Sequence, residues 1–221
     1  MNLFYEIIVK ECSDKMSGYL TLLHFRYMNL CVKSEPASLM PVNISFLGED
    51  KNIEDVAQVG QPDDFHLAVI PENKNMTNLI AQSIFMVHPE FKLARKTFGS
   101  GDEATEYLEY EMPEVDKNRR DFLNEAIKSL HDEAKVRIDE VHAQQKADLA
   151  DYIKEAPSEL DEVNKELDKL HDEYITKIHE LRNTKTQEVE EGYQRYLSEH
   201  GNQANEGENP GLDVTTNMVM Q

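Results

Sequence analysis

Residues Asp116–Ile153, DKNRRDFLNEAIKSLHDEAKVRIDEVHAQQKADLADYI, set Leu123, Ile127, Leu130, Ala134, Ile138, Val141, Gln145, Leu149 and Tyr152 on one line in steps of three and four. That spacing keeps a narrow stripe on one side of a helix, as in helices that pack at a shallow angle in a bundle or coiled coil. Ser158–Tyr196 repeats it with Leu160, Val163, Leu167, Leu170, Tyr174, Ile178 and Leu181. Only the short break Lys154–Pro157 separates the two, so they are expected to fold back antiparallel. At about 1.5 Å per residue each arm runs roughly 55–60 Å, long for a compact domain.

A third stripe lies at the other end of the chain. Across residues 3–32 it reads Phe4, Ile8, Cys12, Met16, Tyr19, Leu23, Tyr27 and Leu30. Gly18 weakens that helix by about 1 kcal/mol relative to alanine without ending it; Glu35-Pro36 and Pro41 do end it. Three such stripes bury one another in a three-helix bundle.

Between the first and second helices the texture changes. Val42–Leu47, Phe65–Ile70 and Tyr107–Glu111 alternate and stop at Gly48, Pro71 and Pro113, which predicts strands with turn punctuation. Ile53–Val59 is a short mixed run, and Met76–Val87 predicts a short amphipathic helix. The fold class is therefore α+β. It is a long three-helix bundle, 1–33 and 113–197, with a small β-rich α/β domain, 34–112, inserted between helices one and two. The remainder, 198–221, is rich in Gly, Asn and acid and is expected to be a disordered acidic tail. The chain crosses between the units at Glu35-Pro36 and Met112-Pro113, which are expected to act as a hinge. The surface between the units is expected to be small and polar, because each has its own core to fill.

The chain has 43 acidic and 23 basic residues, a formal net charge of −20. A field of that sign repels phosphate backbones at long range, which disfavours generic nucleic-acid binding. Cys12 and Cys31 read as lying on one helix, roughly 28 Å apart along its axis, too far to bond. Two unbonded cysteines fit a reducing compartment. Met1–Lys10 has Glu6 and no basic region ahead of its apolar residues, unlike a secretory signal. No stretch is long enough to span a membrane. A soluble, cytoplasmic protein without membrane contact is expected.

The order of long helix, small β-rich insert and two long antiparallel helices, together with Ser38-Leu39-Met40, Ile44–Gly48, Asp64–Val69, Met112–Asp116 and Arg119–Leu123, resembles the ribosome recycling factor family. There the family carries Ser-Leu-Leu, a strand ending in Tyr-Gly, a strand like Ser-Arg-Thr-Leu-x-Ile, a Leu-Pro-Pro-Leu-Thr joint and Arg-Arg-Lys-Asp-Leu. From there to Ile153 the two patterns run without a gap; Gly201–Gln221 lies outside the resemblance. The resemblance implies an L-shaped protein whose bundle docks against large-subunit RNA of the ribosome. It also implies work with a translocating GTPase, and no enzyme activity.

One departure bears on function. Where the family's second helix carries an RNA-contacting Arg-Asn-x-Arg-Arg cluster, this chain reads Asp139, Glu140, Val141, His142, Ala143. Each charge-assisted phosphate contact contributes roughly 1.5–3 kcal/mol, so losing three and adding acid removes most of that affinity. The remaining RNA-binding candidates are Arg119, Arg120, Lys128, Lys135 and His142. Arg119 and Arg120 read equally well as solvated first-turn residues. Lys128, Lys135, Arg137 and Lys146 form a broken basic stripe, but Asp132, Glu133 and Asp139 stand three or four positions from the first three and favour intrahelical pairing.

Two Asp-x-x-His units, Asp139/His142 and Asp168/His171, are placed symmetrically about residue 155. They are expected to meet as cross-helix salt bridges rather than to hold a metal. No catalytic residue, metal or cofactor is expected. Two functions stay open. One is a recycling-factor-like translation protein with weakened ribosome binding. The other is an acidic interaction protein on the same scaffold that no longer binds the ribosome and takes a basic protein partner.

Overall fold

The computed structural model describes residues 3–99, 104–152 and 157–201. Positions 154–156 of the expected break, residues 202–221 of the expected tail, and the side chains of Phe4 and Tyr152 lie outside the described residues. In chain order the elements are α1 (Leu3–Met28), β1 (Asn43–Phe46), β2 (Glu49–Asn52), β3 (Ala57–Asp63), β4 (His66–Pro71), α2 (Thr77–Val87), β5 (Lys92–Phe98), β6 (Thr105–Glu111), α3 (Lys117–Tyr152) and α4 (Pro157–His200).

The three long helices bury their stripes against one another. Cys12, Met16, Leu23 and Tyr27 of α1 meet Leu123, Ile127, Ile138 and Leu149 of α3 and Val163, Leu167, Ile178 and Val189 of α4. Asp116 caps α3, its Oδ1 accepting from the backbone N–H of Arg119 at 2.7 Å. Two helix limits differ from expectation. Helix α4 begins at Pro157, because proline at the first helical position forfeits no hydrogen bond. It also runs on to His200, so Ser198, Glu199 and His200 are helical rather than part of a tail.

Helix α1 ends at Met28, short of the expected residue 32. The reason is a split in allegiance: Cys31 packs into the core of the insert and Val32 into the core of the bundle. Cys12 and Cys31 are thus in different cores rather than on one helix, and both are free thiols.

In the insert, β3-β4-β6-β5 form an antiparallel sheet and β1-β2 a separate hairpin. Leu67 pairs with Tyr110 and Val69 with Leu108, which sets four buried side chains on one face against Ile80, Ala81 and Ile84 of α2. The expected mixed run at Ile53–Val59 is a 3-10 turn, Ile53–Asp55, leading into β3. Strands β2, β3 and β5 fall outside the expected strands. Every residue of β5 is exposed, so no alternation marks it. Pairing with β6 holds it, with Lys92–Glu111 at 3.1 Å, Arg95–Glu106 at 3.3 Å and Lys96–Glu109 across the strands. Charged side chains are a common guard on an edge strand.

The two units are fastened at one turn. Ser34 N–H donates to the Asp64 carbonyl at 2.8 Å, and Met112 N–H donates to the Phe65 carbonyl at 2.7 Å. Consecutive carbonyls of the β3–β4 turn therefore hold both passages of the chain. From the bundle, Arg195 of α4 lies 3.7 Å from Asp64 Oδ2 and 5.2 Å from the centre of the Phe65 ring. Gly192 allows close approach: a Cβ there would fall 2.8 Å from Val32 Cγ1 and 3.0 Å from Val115 Cγ2. The surface between the units is not purely polar as expected. Leu22 and Phe25 of α1 and Met40 and Ile53 of the insert line a cleft between the units, whereas Val32, Val115 and Gly192 pack within the bundle.

Candidate functional site

Helices α3 and α4 present the face where the second helix was expected to touch RNA. Asp139 Oδ1 accepts from His171 Nε2 at 2.7 Å, and its Oδ2 accepts from Lys135 Nζ at 2.9 Å. Asp168 Oδ1 accepts from Lys146 Nζ at 2.7 Å and from His142 Nε2 at 2.8 Å. The His142 and His171 rings stack with centroids 4.5 Å apart. Partial burial raises the Asp139 carboxyl, but the bonds from Lys135 and His171 outweigh it and hold it below the usual range. The bond from Lys146, and then that from His142, does the same for Asp168. The geometry joins the two Asp-x-x-His units across the helices as hydrogen-bonded aspartate–histidine pairs.

A third imidazole contact ties the same helices deeper in the bundle. His131 is buried, and its Nε2 lies 3.0 Å from His179 Nδ1 while its Nδ1 donates to Asp132 Oδ1 at 3.0 Å. When the His131 ring is neutral, Nε2 accepts from His179. The bond from His131 lowers the Asp132 carboxyl, helped by Lys128 and Arg182. Sequence reading missed this pair although its signal was present. His131 and His179 are equidistant from residue 155, like the two pairs that were found.

The other candidate positions divide. Arg119 is half-buried, and its Nη2 donates to the carbonyl of Cys31 at 2.9 Å. Burial pushes its guanidinium below the ordinary range, with Glu90, Cys31 and Asp116 acting against the fall. Arg120 lies on the outside, bonded to Asp121 at 2.9 Å and set 4.3 Å over the Tyr193 ring. Lys128 is exposed. Lys135 and His142 are engaged by Asp139 and Asp168, and Arg137 pairs with Glu140 at 3.1 Å. This face offers alternating paired charges instead of a continuous basic stripe. Of the joint positions, Met112 is buried in the insert core, and Glu35 and Pro36 lead into the 3-10 turn Pro36–Leu39. Two unforeseen groups bring metal-ligating atoms together among the described residues, Cys31/His88/Glu90 and Glu114/Glu199/His200.

The family profile described as "Ribosome recycling factor" matches residues 26–189. The ribosome-recycling factor of Flavobacterium johnsoniae is 26% identical over 187 residues, covering 83% of this chain and 96% of that one. The chloroplastic factor of Oryza sativa subsp. indica is 25% identical over 162 residues, covering 71% of this chain and 57% of that one. A solution structure of ribosome recycling factor superposes with a TM-score of 0.69 at 19% identity, covering 86% of this chain and 100% of that one. The Thermus thermophilus factor, in models bound with Escherichia coli elongation factor G to the post-termination complex, gives 0.53 at 21% identity, covering 84% and 98%.

Proposed function

We propose, because this chain belongs to the ribosome recycling factor family, that it acts on the ribosome by binding and not by catalysis, and holds it weakly. It is a ribosome-recycling-factor-like translation protein. No helix among the described residues is long and apolar enough to cross a membrane. The observation that carries the weak binding is the engagement of Asp139 and Asp168 with His171, His142, Lys135 and Lys146. Asp139 stands at one of the family's arginine positions and Asp168 holds the His142 that stands at another, so acid repels phosphate there and occupies the neighbouring cations. Arg120 and Lys128 are then the residues left to face RNA. Arg119, Lys135 and His142 contribute less, because each already has a partner within the protein. A translocating GTPase would act with the protein in that setting, and pivoting between its two units is assigned to Glu35-Pro36 and Met112-Pro113. Cosedimentation with 70S particles at moderate salt tests the reading: sparse, salt-sensitive association is expected. Saturable binding competed by an authentic recycling factor would overturn the weakening and leave plain recycling.

The net charge of −20 favours one second reading, an acidic interaction protein that keeps the scaffold and takes a basic protein partner. Pull-down separates the two. Basic proteins recovered in place of ribosomes support this reading, and ribosomal RNA or the translocating GTPase supports the first.

A further inference from the structure

Cys31, just beyond α1, faces two residues of the segment joining α2 to β5. Its sulfur, a ring nitrogen of His88 and a carboxylate oxygen of Glu90 all lie within 4.8 Å of one another. Cys31 is 3% exposed and His88 1% exposed, so the cluster is not a chance meeting of surface side chains.

The hydrogen bonds around His88 leave a gap in the chemistry. Its Nε2 lies 2.9 Å from the carbonyl oxygen of Ser38, which can only accept, so Nε2 carries the proton. With Nε2 so committed, Nδ1 faces Glu90 Oε1 at 3.2 Å, and unless Nδ1 carries a second proton two acceptors meet there. Something positive has to stand between them, either a proton or a cation. The ring is also fixed in orientation, stacked on Phe91 at 4.3 Å with the planes 1° apart. An imidazole held by a carbonyl on its far nitrogen is how proteins prepare a histidine for a metal.

We propose that Cys31 Sγ, His88 Nδ1 and Glu90 form a site for a divalent zinc ion. Sulfur, nitrogen and oxygen donors together suit Zn²⁺, with three protein ligands and a fourth position taken by water. As the sulfur takes the ion, the thiol gives its proton to solvent. Arg119, bonded to the carbonyl of Cys31, stands beside the two anionic ligands and positions the segment that carries one of them. The ion would tie the exit of α1 to the insert, at the junction of the two units. This inference stands on the insert and joint alone and does not depend on ribosome binding.

The test uses the full chain, reduced and stripped of metal, titrated with Co²⁺ as a spectroscopic probe and then with Zn²⁺. One equivalent of Co²⁺ should bring near-ultraviolet absorption from sulfur-to-cobalt charge transfer, and Zn²⁺ should displace it. Cys31→Ser should abolish the absorption. His88→Gln and Glu90→Gln should weaken binding by about tenfold or more. Cys12→Ser and His200→Gln should leave it unchanged. A wild-type titration without the absorption means that a shared proton fills the gap, and overturns the proposal before any variant is needed. Absorption that survives Cys31→Ser, or disappears in Cys12→Ser, overturns it as well. Glu90 is half-exposed, so Glu90→Gln keeps the test open if Cys31→Ser fails to fold.

Discussion

His142 on α3 and His171 on α4 stack face to face, and each bonds to the aspartate that stands three residues before the other. Both carboxyls, Asp139 and Asp168, are held below their ordinary range in the folded protein. A carboxyl whose folded pKa is depressed stabilises the fold above its unfolded value, about 3.9, and loses that contribution as pH falls through the folded value. The urea midpoint is therefore expected to drop on acidification below about pH 4. Asp139→Asn and Asp168→Asn should lie below wild type near neutrality and converge with it at the acid end. Parallel curves for wild type and variants would remove these carboxyls from the acid response.

The same geometry sets fold stability against ribosome binding. Asp139→Arg, His142→Arg and Ala143→Arg combined should raise cosedimentation with 70S particles by roughly tenfold or more for each new bond to phosphate. The triple variant should also melt at a lower temperature. It takes the acid from His171 and removes the stack between His142 and His171.

Neighbouring arginines should behave differently. Arg119→Ala removes a charged donor from the Cys31 carbonyl and is expected to cost about 1.5–3 kcal/mol in urea unfolding. Arg120→Ala removes an exposed, solvent-screened ion pair and a contact over Tyr193, and should move the urea midpoint much less. In ribosome binding the order reverses, Arg120→Ala having the larger effect.

Two glycine substitutions should have opposite signs. A methyl on Gly18 of α1 would meet no atom within 4 Å beyond the backbone of its own helix, so Gly18→Ala should gain up to about 1 kcal/mol from helix propensity. Gly192→Ala drives its methyl into Val32 and Val115, stiff β-branched side chains that cannot swing aside. A net loss of about 1–3 kcal/mol is expected despite the same propensity gain. Thermal melts of the two variants on either side of wild type would check it.

Pro113 stands between Met112 in the insert core and Val115 in the bundle core. Pro113→Gly should broaden the distribution of overall dimensions in small-angle scattering, with unfolding of each unit unchanged. Identical scattering from both proteins would argue against a pivot there.

The parts of the fold that sequence reading recovered are those where burial imposes a period. The α3 stripe from Leu123 to Leu149 is buried or half-buried throughout, including the polar Gln145. The cross-helix aspartate and histidine pairs followed from the same geometry, since an antiparallel return maps positions about one centre. What escaped lacked a period. Strand β5 is exposed on both faces, and β2 pairs with β1 alone. The hairpin joining β1 and β2 turns at Leu47-Gly48, where both residues have positive φ, 54° and 87°, and a leucine gives no sign of such a turn. Cys31, His88 and Glu90 are brought together by the packing of the insert, which no local spacing records.

The clasp at Asp64 and Phe65 also bears on how the chain assembles. Helices α1 and α3 meet in the bundle, yet the whole insert lies between them in sequence. Bringing distant segments together carries a loop-closure penalty that grows with the length of free chain, about 0.6 kcal/mol per doubling. Once the insert has formed, Ser34 and Met112 are tied to adjacent carbonyls, and the long loop is replaced by a short one. The α3–α4 hairpin needs no such help, being local. Docking of α1 is then the step that waits for the insert, and damage to the β3–β4 turn should slow refolding of the bundle as well as weaken the insert.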